Sequence, residues 1–156
     1  RFTIFFFLSY GDEDHNIKIE ISTRDSLPKT RDQYVIKKYL GISMLVASKE
    51  YLFASKLAAL TLRNEVAMRD IYDIYYFSKN NWDIDKAKVE KITGKVFTGY
   101  LSDCITLINS IGKNQILRGL GELLGEKEKN WAKEHLKDEV MFLLKNYRAI
   151  IKSTKR

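Results

Sequence analysis

The stretch "KEYLFASKLAALTLRNEVAMRDIYDIYYF", Lys49 to Phe77, decides how the rest of the chain is read. Its first half carries Phe53, Leu57 and Leu60 at i, i+4 and i+7, the stripe of a helix over residues 49–63. Ser48 precedes it as an N-cap, where a hydroxyl takes one orphan amide, and Glu50 suits the first turn. The second half predicts another helix over 67–78, with Ile71, Ile74 and Tyr75 on a buried face. Two features do not belong to core packing alone. Lys56 has Leu52, Phe53, Ala59 and Leu60 as its helical neighbours, and Arg63 follows one heptad later on the same side, so both cations can face one pocket. Asp70 and Asp73 share a face of the second helix with Phe77, and Arg69 stands at i−4 to Asp73. Each has a plainer reading: a lysine that snorkels to the rim, and a surface ion pair beside an acid that suits the helix dipole.

Working outward, the C-terminal side is mostly helical. Residues 83–93, 97–111 and 114–125 read as weaker helices punctuated by glycine, and "GKNQILRGLGELLGEK" has neither the preceding strand nor the pattern of a phosphate loop. Leu136, Val140, Leu143, Leu144, Tyr147 and Ile151 then stripe one long amphipathic helix. On the N-terminal side, residues 2–10 and 17–22 read as strands joined by a polar Gly-Asp-Glu-Asp-His-Asn connection, an antiparallel hairpin. The first strand is apolar on both faces, which predicts a central strand covered on both sides. The second puts Ile17, Ile19 and Ile21 on one face and Lys18, Glu20 and Ser22 on the other. Residues 23–34 read as a loop, and Ile42–Ala47 as a further strand. The expected fold is therefore α+β: a small N-terminal sheet over residues 1–47, then a helical domain over 48–156.

Composition narrows the function classes. With 156 residues, 45% hydrophobic and 30% charged, the chain has the balance of one ordinary globular domain. No apolar run is long enough to span a bilayer, and "FTIFFFLSY" is too short and too close to acids to be a signal peptide. The single cysteine, Cys104, excludes an internal disulfide or a thiolate zinc site and fits a reducing cytoplasm, where it reads as a small core residue. His15 and His135 read as surface histidines. A net charge of +7, with "KNYRAIIKSTKR" almost purely basic at the end, favours polyanionic partners such as nucleic acid. The lack of Met at position 1, before a strand that expects neighbours, predicts a portion of a longer protein.

The ordered set "IKIEIS", "LFASKLAALTLR" and "RDIYDIYYF", across residues 16–78, resembles the AbiEii family of nucleotidyltransferase toxins. The resemblance implies a polymerase-beta-like nucleotidyltransferase fold, and transfer of a nucleotide from an NTP to an RNA acceptor, with tRNA ends among the known acceptors. It also implies Mg²⁺ and a cognate antitoxin. By position, Glu20 would be a metal carboxylate and Lys56 would contact the nucleotide phosphates. Arg69, Asp70 and Asp73 would come from the third motif, with either aspartate as base for an acceptor hydroxyl or as a partner orienting Lys56. The chemistry is coherent: carboxylates hold two metals about 4 Å apart around the reacting oxygens, and a lysine offsets triphosphate charge as a point cation. The family's first motif, a glycine turn followed by D-x-D on a strand, has no counterpart at the required distance. The only D-x-D, Asp12–Asp14, lies in the hairpin connection, where Asp and Gly belong for turn reasons. The expectation is a chain that, as given, lacks two of three metal carboxylates and is inactive. The alternative is a non-catalytic basic module that binds nucleic acid or an antitoxin.

Overall fold

The computed structural model of the chain describes residues 3–9, 11, 16–22 and 33–154. They belong to two compact units, Arg1–Leu45 and Val46–Arg156. Asp12, Asp14 and His15 lie outside the described residues, as does most of the expected loop over 23–34 with its Pro28.

In the first unit β1 (Thr3–Leu8) pairs antiparallel with β2 (Ile17–Ser22). The register sets Ile4, Phe6 and Leu8 opposite Ile21, Ile19 and Ile17, so one face is wholly apolar. The other face sets Phe5 against Glu20 and Phe7 against Lys18. The expected central strand is not what forms. The described strands make two separate two-stranded sheets, and β1 gains a neighbour on one edge only. Phe5, Phe6 and Phe7 are accordingly more than half exposed.

The second pair is β3 (Tyr34–Tyr39) and β4 (Ile42–Ala47). Its two-residue connection demands an antiparallel hairpin. Leu40 and Gly41 both have positive φ, 46° and 81°, as a type I′ turn requires. The strand β3 was not expected.

The second unit is helical. α1 (Lys49–Leu62) starts where the Ser48 hydroxyl accepts the Tyr51 amide at 3.2 Å. α2 (Met68–Lys79), α3 (Lys86–Thr93) and α4 (Phe97–Ser110) follow. Gly94, at φ 69°, closes α3 in the left-handed conformation with its amide on the Glu90 carbonyl. The helix expected over 114–125 is absent: a single 3₁₀ turn at Lys113–Gln115 gives way to successive turns, with Gly119 at φ 73°. α5 (Glu126–Trp131) passes through a π turn, Ala132–Leu136, into α6 (Lys137–Thr154). α1 packs on α2, α3 and α4, and α6 packs on α2 and α4. Phe53, Leu57, Ile74, Leu101, Ile108 and Leu144 form the centre of the core, each 1% exposed or less. Among the described residues no helix is long and apolar enough to cross a membrane.

Candidate functional site

Among the described residues the charged exception in this core is Asp70, which is 0% exposed. It sits in the first turn of α2, where the positive end of the helix dipole favours a carboxylate. A buried carboxylate is costly unless it is paired, and α1 supplies two cations. Lys56 Nζ donates to Asp70 Oδ1 at 2.9 Å. Arg63 Nε reaches Oδ2 at 3.1 Å, close enough for an ion pair though out of line for a hydrogen bond. Lys56 also pairs with Asp73 Oδ2 at 2.7 Å. The four side chains therefore form one chain of charge: Arg63, Asp70, Lys56, Asp73. The seven-residue spacing in α1 and the three-residue spacing in α2 make this possible, since both pairs lie on facing sides of packed helices.

The members differ in accessibility. Asp70 is sealed, whereas the side chains of Lys56 and Asp73 are 31% and 34% exposed and that of Arg63 is 44% exposed. Burial alone would lower the Lys56 pKa, but hydrogen bonding and attraction from Asp73 and Asp70 more than offset it, and the net shift is upward. Lys56 is thus a fixed cation at neutral pH. It is not a snorkelling lysine: its ammonium is turned onto two carboxylates. With two cations and two carboxylates the cluster is neutral overall, and only Asp73 is both paired to Lys56 and open to exchange.

Arg69 is exposed, and among the described residues it makes no ion pair; Asp73 pairs with Lys56 instead of the arginine four residues earlier. Arg63 also lines a groove of about 510 Å³ with Thr61, Asn64, Asp103, Thr106 and Ser110. Leu60, Val66 and Leu107 complete its lining, so the groove beside the guanidinium is more apolar than polar.

One positioning residue gave no signal in the sequence. The Tyr100 hydroxyl on α4 donates to the Leu57 carbonyl at 2.8 Å and lies 3.0 Å from Thr61 Oγ1. It ties down the turn of α1 between Lys56 and Arg63. Burial raises its pKa well above the ordinary 10.0, so it remains a donor. Nothing local in "FTGYLSD" marks this role, because the partners are some forty residues away. Cys104 is fully buried, and burial pushes its thiol up to about 12, which suits a core residue and not a nucleophile. His135 is exposed on the π turn.

Glu20 belongs to the first unit, where Lys18 Nζ lies 2.6 Å from its carboxylate and both side chains are about half exposed. Among the described residues no group of three or more His, Cys, Asp or Glu could hold a metal ion. Mg²⁺ needs several anionic oxygens, and a single glutamate already paired to a lysine does not fit it.

A family profile, described as "Nucleotidyl transferase AbiEii toxin, Type IV TA system", matches residues 2–154. The match runs through both units and well past the motif region at 16–78. No match was found among curated proteins or among solved structures.

Proposed function

The chain belongs to the AbiEii family of nucleotidyltransferase toxins of type IV toxin–antitoxin systems, and from that premise we propose that the α1–α2 charge cluster is its nucleotide site. The supporting observation is the asymmetry of the cluster. Asp70 is buried and held by two cations, so it anchors Lys56 and Arg63 in place. Asp73 is the exchangeable member. A triphosphate oxygen that takes the place of Asp73 on Lys56 keeps the lysine paired and releases a carboxylate at the rim. Lys56 and Arg63 then hold the NTP phosphates, and Arg69 offers a further phosphate contact from the exposed side of α2.

For the transfer, the acceptor hydroxyl oxygen bonds to the α-phosphorus while the bond to the bridging oxygen breaks and pyrophosphate leaves. The hydroxyl proton passes to Asp73, the aspartate that can reach an acceptor; Asp70 serves only to position Lys56. The acceptor class is RNA, tRNA included, in keeping with the +7 charge, and a type IV toxin implies an antitoxin as its protein partner. The Mg²⁺ that this chemistry ordinarily uses does not fit Glu20 and Lys18 alone. We accordingly read the chain as given as able to bind an NTP and inactive in transfer without further carboxylates beside Glu20.

The test uses the complete protein with labelled NTPs and tRNA. Lys56→Ala should lower transfer by roughly 10²-fold or more, as for removal of one preorganised charge at a developing oxyanion, and Arg69→Ala should mainly raise KM. Unchanged transfer by Lys56→Ala removes the cluster from the active site. The second reading, a non-catalytic module for nucleic acid or antitoxin, rests on the net charge. It gains if the complete protein binds RNA with steep salt dependence and transfers nothing.

A further inference from the structure

The face of α2 that points away from Asp70 and Asp73 carries Tyr72, Tyr75 and Lys79, at i, i+3 and i+7. With Lys127, Glu128 and Trp131 of α5 they line an open groove of about 290 Å³. The rings form a continuous ledge. Tyr72 and Tyr75 have centroids 6.2 Å apart, and Tyr75 and Trp131 are 4.6 Å apart with a 38° tilt. All three rings are half-buried, so each rests on the core and shows an edge or face to the groove. Lys79 Nζ donates to the Tyr75 hydroxyl at 3.0 Å and lies 5.3 Å from its ring centroid. Lys79 and Lys127 are exposed, and among the described residues neither forms an ion pair with a carboxylate. Glu128 is the opposing charge; its Oε2 accepts the Gly125 amide at 3.0 Å, which holds it at the start of α5.

Aromatic edges alone are as common in protein interfaces as in nucleic-acid sites. The lysines decide between them, because the cores of protein interfaces are depleted of lysine, whereas a stacking ledge flanked by exposed ammonium groups is how single strands are held without sequence readout. The π turn that begins directly after Trp131 adds to this, since such turns gather at functional sites. We propose that the Tyr72–Tyr75–Trp131 ledge binds single-stranded RNA, with one base stacked in the groove and the adjoining phosphates on Lys79 and Lys127. It is a second site, on the opposite side of α2 from the charge cluster, and it rests on the nucleotidyltransferase reading only in the choice of RNA.

The experiment is fluorescence anisotropy with a short labelled oligoadenylate, titrated with the full chain over a series of salt concentrations. Tyr72→Ala and Trp131→Ala should weaken binding roughly tenfold or more. Lys79→Ala and Lys127→Ala should each weaken it and reduce the salt slope by about 0.7. The two lysine variants keep the proposal testable if Trp131→Ala does not fold, because both side chains are exposed. Absence of binding at low salt overturns the proposal. So does binding that none of the four groove variants weakens, including the case in which they impair antitoxin binding instead. Groove-dependent binding in a chain that binds no NTP would sink the nucleotide-site reading and leave this one standing.

Discussion

Asp70 is a fully buried carboxylate whose counter-charges both come from α1 and its C-cap. Removing one partner from a buried ion pair costs more than the pair is worth, because the survivors keep their charge without a counter-charge. Asp70→Ala leaves Lys56 with Asp73 alone and Arg63 with no carboxylate from α2. It should destabilise the chain by about 3 kcal/mol, read as a lower urea midpoint. Asp70→Asn, which keeps the shape and an acceptor oxygen, should cost less. If both variants melt like the parent, Asp70 is not the anchor described above. Asp73, one-third exposed, should cost well under half as much in the same assay. The residue types at this site were legible in the sequence, since spacing alone places Lys56 beside Arg63 and Asp70 beside Asp73. What the sequence did not distinguish was their roles. Which aspartate is sealed depends on how α1 and α2 pack, and the stripes of the two helices do not encode that depth.

At the scale of elements, the helices with continuous apolar stripes were legible, and of the three expected to be punctuated by glycine those over 83–93 and 97–111 form as α3 and α4 whereas that over 114–125 does not. α1 follows from period and cap, α2 and α6 from period alone. The stretch 114–125 has leucines at helical spacing, but Gly119 and Gly121 leave it with turns, and the energy of a single helical turn does not cover its nucleation. β3 was missed because its hairpin turns on Leu40–Gly41, with leucine where asparagine is the usual signal. α4 carries a consequence that titration can read. Tyr100 and Cys104 lie one turn apart on its buried face, and burial raises both pKa values, the thiol from an ordinary 9.0 to about 12. A folded-state pKa above the unfolded value gives stability that is complete below the unfolded pKa and lost as pH rises toward the folded one. The urea midpoint should therefore be flat up to about pH 9 and fall between there and pH 12. Cys104→Ala should start from a lower midpoint and fall less steeply. A parent midpoint that stays level through that window contradicts the buried, protonated α4 face.

For the whole molecule, the α+β order of strands then helices follows from the change of hydrophobic period near Ser48. The sheet itself was less legible: the two strand pairs do not join into one sheet, and a strand apolar on both faces does not say which neighbour covers it. The family match over residues 2–154 and the neutral Arg63–Asp70–Lys56–Asp73 cluster converge on one claim. As proposed, the α1–α2 pair is a triphosphate site whose ready-made counter-ion is Asp73. Calorimetric titration of the chain with each NTP tests this without requiring turnover. The account predicts that Lys56→Met weakens binding at least tenfold and that Asp73→Asn, by removing the competing carboxylate, tightens it. Equal affinity in the parent and both variants, or no binding of any NTP to the parent, would contradict it.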